Sequence, residues 1–109
     1  MPHQTFESCI KACNECATAC YHCAISCLAE DNVKAMARCI ALDLDCAAIC
    51  QHAAGAMARN SAFAADTCRL CAQICEACGE ECAKHGAQHC QACAKACRQC
   101  AEECRRMAA

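Results

Sequence analysis

The chain has 109 residues, a formal net charge of −2 and no tryptophan. A charge this close to neutral argues against nucleic acid or an anionic membrane as partner, and two Phe and one Tyr cannot form a platform for stacked bases. No apolar run approaches the roughly 18 residues that predict a membrane span. Few glycines and prolines among many alanines and cysteines predict an all-α fold in one small domain, residues 1–109.

The first predicted helix covers residues 5–29, with Thr5 as its N-cap. Within it, six cysteines follow one another from Cys9 to Cys27 at steps of four, three, four, three and four residues. Residues three and four apart share one face of a helix, so these thiols form a stripe about 27 Å long. An apolar stripe with this period is typical of the buried seam of a helical bundle.

Three further helices are predicted over residues 32–59, 62–84 and 87–107. The connections between them are short, and short connections make each helix antiparallel to the one before it. We therefore expect an antiparallel up-down-up-down four-helix bundle with a cysteine-lined core.

The turns between these helices carry residues that favour helix ends. Asp31 or Asn32 would cap the second helix, and Asn60 with Ser61 would form the next turn and cap the third. Gly86 would end the third helix at the C′ position, where glycine adopts a positive φ without strain.

The same cysteine frame recurs along the chain. The pattern C-x2-C-x3-C-x2-C-x3-C occurs in the first, third and fourth helices, and the second helix has Met36 and Asp43 at two of its positions. All nineteen cysteines lie on these seams and are candidate metal ligands: Cys9, Cys13, Cys16, Cys20, Cys23, Cys27, Cys39, Cys46, Cys50, Cys68, Cys71, Cys75, Cys78, Cys82, Cys90, Cys93, Cys97, Cys100 and Cys104. Cysteine as a mere core filler does not account for this register, because leucine and isoleucine pack bundles better.

A short chain with nineteen cysteines also suggests a disulfide scaffold, but three features argue against one. The N-terminal residues lack the basic and apolar regions of a secretory signal, and the cysteine count is odd. The spacing is helical, whereas disulfide scaffolds are usually rich in loops. We therefore expect free thiols in a reducing compartment, the cytoplasm.

Soft thiolates select Cu(I), Zn(II) or iron–sulfur clusters. Zinc takes closed four-thiolate sites with a charge near −2, and a buried column of such charges without basic partners is unfavourable. Iron–sulfur clusters need only four ligands each, usually from loops. Cu(I) with bridging thiolates approaches one ion per sulfur and is neutral overall, so the seams predict a run of Cu(I) sites along the bundle axis. That capacity suits storage better than transfer.

Two histidines near the last turn are candidate ligands besides the thiols. His85 continues the seam of the third helix, and His89 directly precedes the first cysteine of the fourth. Imidazole beside thiolate and thioether suits a soft metal, so both are candidate ligands at one bundle end. The alternative is that they are simply exposed turn residues. His22 and His52 lie one residue off their seams and favour contacts on the helix flanks.

Other seam positions favour structural roles. Met36 would lie near the same end as the histidines, while Met57 and Met107 extend their seams at the opposite end as core fillers. Asp43 would make a satisfied polar contact with a neighbouring helix, or would ligate weakly or limit cluster growth. Glu81 is interpreted, with the other charged residues, as part of a solvated face.

With these features the chain resembles the four-helix cytosolic copper storage proteins of bacteria. The resemblance covers essentially the whole chain through its length, its four-fold cysteine frame and its lack of an export signal. It is pronounced in the run from Cys75 to Gly79 and in the stretch from Cys90 to Cys104.

The resemblance implies a tetramer of bundles, each of which stores many Cu(I) ions as thiolate-bridged sites. It also implies metal entrance at one bundle end, where His85 and His89 match histidines of the cytosolic members. Asp43 within a sulfur seam is similar to a feature of the family. A copper chaperone or a small thiol would then be the copper donor.

The expected function is a non-enzymatic cytosolic store for Cu(I). One alternative is a general thiol buffer for zinc, cadmium or other soft metals, resembling a folded metallothionein. A second is a redox protein that cycles dithiols and disulfides, although its CxxC pairs lie within helices and lack the Trp or Pro of a thioredoxin-like site.

Overall fold

The structure is a computed structural model and describes residues 6–109. Within that range there are four long helices and one short 3-10 helix, and no strand: α1 (Glu7–Leu28), the 3-10 helix (Val33–Met36), α2 (Ala37–Ala58), α3 (Ala64–Ala83) and α4 (Gln88–Ala108). The predicted all-α fold is confirmed. The predicted helix start at residue 5 and its cap Thr5 lie outside the described residues. None of the four helices is both long and apolar enough to cross a membrane.

The helices form an antiparallel bundle in which each packs on the next and α4 packs back on α1. The sulfur contacts give the direction: Cys9 of α1 meets Cys104 near the end of α4, and Cys23 meets Cys90 near its start. The bundle measures 48 × 19 × 18 Å. Its narrow cross-section follows from the core, because cysteine and alanine side chains let the helices approach closely.

The core consists of the seams, with alanines beside them. Every cysteine is buried, and the only larger apolar side chains buried among the described residues are Met36 and Met57. Bulkier aliphatic side chains pack partly buried against the edges of this core: Ile10, Ile40, Leu42, Ile49 and Ile74. Tyr21, Ile25 and Leu28 of α1 remain exposed on the outer surface, as does Leu44 of α2.

The start of the second helix differs from the prediction. Residues 33–36 form a 3-10 turn, and the α-helix begins at Ala37 instead of residue 32. Asn32 precedes the 3-10 turn with φ −104° and ψ 60°, but its side chain donates or accepts no capping hydrogen bond. The tighter turn reverses the chain within a few residues and brings Met36 into the end of the core.

The second turn is built around Asn60, whose hydrogen bonds close the C-terminal end of α2 and do not cap the start of α3. Asn60 has a φ of 52°, in the left-handed region. The Ser61 amide donates to the Ala56 carbonyl at 2.8 Å and the Asn60 amide to the Met57 carbonyl at 3.1 Å, which is the Schellman arrangement. Ser61 Oγ accepts from the Phe63 amide at 3.1 Å, one residue before α3 starts.

The prediction for Gly86 is wrong. The helix α3 ends at Ala83 with Lys84 as its C-cap, and Gly86 does not have a positive φ. The chain leaves this helix without a left-handed residue, because the Lys84 and His85 amides bond to the Glu81 and Cys82 carbonyls in a continuing turn.

Candidate metal centre

The thiols form one continuous column inside the bundle. All nineteen are free and buried. Their sulfurs contact one another within and between helices at separations from 3.4 Å, between Cys39 and Cys82, to 4.0 Å, between Cys16 and Cys20. Contacts also cross the bundle diagonally, from Cys46 to Cys97 at 3.9 Å. The seams therefore meet at the axis.

Groups of four sulfurs lie within 4.8 Å of one another at successive levels of this column. The three middle groups share members, since Cys16, Cys20, Cys46 and Cys97 each belong to two of them. Sulfur contacts connect the two end groups to these: Cys50 lies 3.8 Å from Cys71 and from Cys100, and Cys82 lies 3.4 Å from Cys39 and 3.9 Å from Cys78. From one end of the bundle to the other, the groups include Cys13–Cys71–Cys100–Cys104, Cys16–Cys46–Cys50–Cys75, Cys16–Cys20–Cys46–Cys97, Cys20–Cys78–Cys93–Cys97 and Cys23–Cys27–Cys39–Cys90. A shared thiolate is a bridging ligand, so the arrangement suits a chain of bridged soft ions rather than separate closed sites.

Asp43 is the single acidic side chain of the column in the part of the chain that the structure describes. It is fully buried, and its Oδ1 accepts from the thiols of Cys78, Cys82 and Cys93 at 3.2, 3.4 and 3.3 Å. Burial, followed by the charge of Cys93 and Cys78, raises the pKa of Asp43 to about 9. The expected polar contact is thus made with sulfur, to the neighbouring helix α3 and to α4 across the bundle.

Burial also raises the pKa of thiols near the same end of the column. Desolvation is the largest cause for Cys39, whose pKa lies above its ordinary value, and for Cys90, whose pKa is raised to about 11. These thiols keep their protons at neutral pH in the free protein. Metal binding at them must therefore displace protons.

The end of the bundle that carries the α1–α2 and α3–α4 connections is polar, and we call it the mouth. His89 lies there with its Nδ1 3.5 Å from the sulfurs of Cys23 and Cys90 and 3.9 Å from that of Cys27. Its Nε2 is 2.9 Å from Oε1 of Glu30. The structure thus brings His89 to the thiol column, as a ligand would be placed.

His85 stands beside the column rather than in contact with it. Its Nε2 is 2.9 Å from Oε2 of Glu81, which also pairs with Arg38 at 3.5 Å and Lys84 at 3.4 Å. The hydrogen bond with His85 is the largest cause that lowers the pKa of Glu81. The expectation that Glu81 is solvated is wrong: it is only 8% exposed, because it joins α2 to the end of α3.

A surface cavity of about 340 Å³ lies at the mouth, lined in part by Glu30, Met36 and His85. Carboxylate, thioether and imidazole thus meet at one opening. The opposite end is different. Met57 is fully buried there, and Phe6 and Met107 pack partly buried against the core. That end is closed by apolar side chains, whereas the mouth carries polar side chains.

Two carboxylates of the mouth were not found from the sequence. Glu30 lies two residues past the end of α1 and Glu81 lies beside a seam, so neither position has a periodicity that marks it. Only the fold brings Glu30 to a histidine 59 residues later in the chain. His22 and His52, by contrast, are exposed on their helices.

Comparison with known sequences agrees with this geometry. A sequence model of the copper storage protein family matches residues 2–109. The cysteine-rich protein YhjQ of Bacillus subtilis (strain 168) is 55% identical over 82 residues, which are 75% of this chain and 76% of that protein.

Solved structures of copper storage proteins are also similar to this chain. The Cu(I)-bound copper storage protein BsCsp3 has 52% sequence identity and a TM-score of 0.92, with 100% of both chains covered. A cytosolic copper storage protein from Streptomyces lividans, in a structure of copper loading with five coppers, has 36% identity and a TM-score of 0.93, and the match covers 98% of this chain and 94% of that one. The family match over nearly the whole length, on a fold whose core is a column of thiols, shows that this chain belongs to the copper storage protein family.

Proposed function

We propose that this protein stores Cu(I) as thiolate-bridged ions inside the bundle, with all nineteen cysteines as ligands. The continuous column of four-sulfur groups, joined by shared cysteines or by sulfur contacts, is the observation that carries the proposal. In a bridged column each thiolate serves two ions, so the number of ions approaches the number of sulfurs and the charges of Cu(I) and thiolate cancel.

The charge of the core supports Cu(I) over Zn(II). The buried polar or charged side chains among residues 6–109 are Asp43, Thr67 and Glu81, none of which is a cation. A column of zinc tetrathiolate sites with about two negative charges each would have nothing inside to balance it. Storage of zinc or cadmium is therefore the weaker candidate.

Copper is proposed to enter at the mouth, where His89 and His85 would be its nitrogen ligands. The contact of His89 with three cysteine sulfurs supports its role directly. His85 lines the cavity at the mouth, where an incoming ion would arrive first. Imidazole is a suitable ligand for copper, and its lone pair needs no deprotonation when the ring is neutral.

The cellular setting is part of the proposal. A cytoplasmic location, with a copper chaperone or a small thiol as donor, fits free thiols in such number. We also propose a homo-oligomer, a tetramer by resemblance to the family. The exposed apolar side chains of Tyr21, Ile25, Leu28 and Leu44 on the outside of α1 and α2 support a subunit contact there. No catalytic role is proposed.

An anaerobic titration of the reduced apo-protein with Cu(I), against a strong Cu(I) chelator, tests the function. We expect tight uptake to a plateau near one copper per cysteine, and retention of Cu(I) in the presence of excess Zn(II). A double variant, Cys46→Ser with Cys97→Ser, should lower the plateau by at least two ions because both sulfurs are shared between groups. Saturation at about four ions, with Zn(II) bound equally well, would instead indicate a general thiol buffer.

A further inference from the structure

His89 occupies a special position among the histidines of residues 6–109. It alone has a ring nitrogen within 4.0 Å of cysteine sulfurs, while His85 faces Glu81, and His22 and His52 are exposed. The ring is 15% exposed on one side and contacts the sulfurs of Cys23, Cys27 and Cys90 on the other, so it lies between solvent and this end of the column. The orientation of that ring is therefore decisive.

Glu30 fixes the orientation. Its Oε1 lies 2.9 Å from Nε2 of His89, and a carboxylate can only accept, so Nε2 carries the hydrogen. The neutral ring then has its lone pair on Nδ1. That nitrogen is the one that faces the sulfurs of Cys23 and Cys90, at 3.5 Å each. Without an acceptor at Nε2, the ring could equally place its hydrogen on Nδ1 and offer no lone pair to the interior.

The three groups form a graded path from solvent to core. The side chain of Glu30 is 41% exposed, that of His89 is 15% exposed, and the cysteines beyond it are fully buried. The pair of His85 and Glu81 is different, because the Glu81 carboxylate also forms ion pairs with Arg38 and Lys84. Glu30 has no partner other than His89 among the contacts of the described residues. Among these contacts, the Glu30 carboxylate therefore interacts with the His89 ring alone.

We propose that Glu30 is a positioning residue for copper loading: it holds the Nδ1 lone pair of His89 toward Cys23 and Cys90, so that this ring passes Cu(I) to the column. The inference rests on the proposed storage function. In the transfer the Cu–N bond breaks as a Cu–S bond forms, copper stays in the +1 state, and the proton of the thiol leaves to solvent. Carboxylates that orient metal-binding histidines in this way change metal affinity or activity by roughly 10- to 100-fold when removed.

The test measures the rate of Cu(I) uptake from a coloured Cu(I)–bicinchoninate complex, together with the final number of ions bound. We expect Glu30→Ala to load about tenfold more slowly than the wild type and to reach the same plateau. Glu30→Gln keeps an oxygen acceptor and should recover most of the rate. Asp31→Ala is the matched control, because it removes a neighbouring exposed charge at the same end and should load at the wild-type rate.

Two further measurements separate positioning from other effects. Glu30→Ala should slow loading no further when His89→Ala is already present, since the carboxylate acts through the ring. Nitrogen chemical shifts of the His89 ring in the apo-protein should show hydrogen on Nε2 in the wild type and a mixture of tautomers in Glu30→Ala.

The outcomes are distinct. Equal slowing in Glu30→Ala and Asp31→Ala would show that loss of negative charge alone slows loading, and would overturn the proposal. A wild-type loading rate in Glu30→Ala, or an unchanged His89 tautomer in that variant, would overturn it too. A lower plateau in Glu30→Ala would also overturn it, because it would place Glu30 in the store itself. Failure of the wild type to take up many Cu(I) ions would overturn the storage function instead, and the tautomer measurement would still report on the contact.

Discussion

At the scale of single residues, Asp43 departs most from the pattern around it. It replaces a cysteine of the α2 seam, and the surrounding thiols donate to one of its oxygens from α3 and α4. A buried carboxylate in an apolar core loses its hydration and therefore retains its proton to a higher pH. The residue is tolerated because the thiols supply donors that water would otherwise provide.

This burial gives the apo-protein a pH-dependent stability. The folded state keeps the Asp43 proton up to a pKa of about 9, whereas the unfolded chain releases it near 3.8. The folded state thus binds more protons between these values. We expect the free energy of unfolding to fall as the pH rises from about 5 to 8, by at most about 1.4 kcal/mol per pH unit from this group.

Urea denaturation of the apo-protein at several pH values measures the effect. Asp43→Asn, which cannot ionise, should flatten the dependence. Asp45→Asn is the matched control, because that aspartate is exposed on the same helix and should leave the slope unchanged. Parallel curves for Asp43→Asn and the wild type would contradict the assignment.

At the scale of helices, the small residues of the seams set how closely neighbours approach. A Cβ added at Gly79 of α3 would lie 3.3 Å from Cβ of Cys97 on α4 and 3.6 Å from the Ala94 carbonyl oxygen. The Cys97 Cβ and the Ala94 carbonyl oxygen are fixed by the backbone of α4, so neither atom can move away by a side-chain rotation. Gly55 lies in α2 with a different neighbourhood, because its added Cβ would meet only the end of the flexible Arg59 side chain at 3.1 Å.

The two glycines should therefore respond in opposite ways to the same change. Gly55→Ala is expected to raise the free energy of unfolding by about 0.5–1 kcal/mol through helix propensity. Gly79→Ala should lower it by about 1 kcal/mol, because overpacking between α3 and α4 exceeds the gain in propensity. Chemical denaturation of both apo variants gives the comparison. A stabilised Gly79→Ala would mean that α4 moves aside more easily than the packing indicates.

At the scale of the molecule, the bundle has a core of small side chains. The largest fully buried apolar residue is Met57, and the others at the axis are cysteines and alanines. Burying these residues removes little apolar area per residue compared with a leucine core. Metal ions held as proposed, by thiols from all four helices, would therefore add to the stability of the loaded protein.

Copper loading should then stabilise the fold strongly. A ligand that binds only the folded state at about 100 times its Kd adds roughly 2.7 kcal/mol per site, and several sites together should raise the Tm by more than 10 °C. Thermal unfolding under anaerobic conditions, at fixed protein concentration and increasing Cu(I), measures this. Removal of copper by an excess of chelator should restore the apo Tm, and Mg(II) should not change it. An unchanged Tm at full loading would place the copper outside the bundle core.

The helices and the thiol column could be predicted from the sequence, because both follow from local periodicity. Cysteines spaced three and four apart can lie on one helical face only, and four such helices with short connections have few ways to bury them. The family resemblance also followed from this frame, and the family match confirms it.

The ends of the helices and the chemistry of the mouth depend on tertiary contacts and could not be predicted in this way. Asn60 rather than Gly86 takes the left-handed conformation, because a helix end depends on how the chain must turn toward its next partner. Glu30 meets His89 through the docking of the α1–α2 connection on the start of α4, a contact between residues far apart in the chain. Glu81 is buried for the same reason, since Arg38 reaches it from the neighbouring helix. Periodicity describes one helix at a time and has no information about contacts between residues far apart in the chain, which are the contacts that the polar side chains of the mouth make.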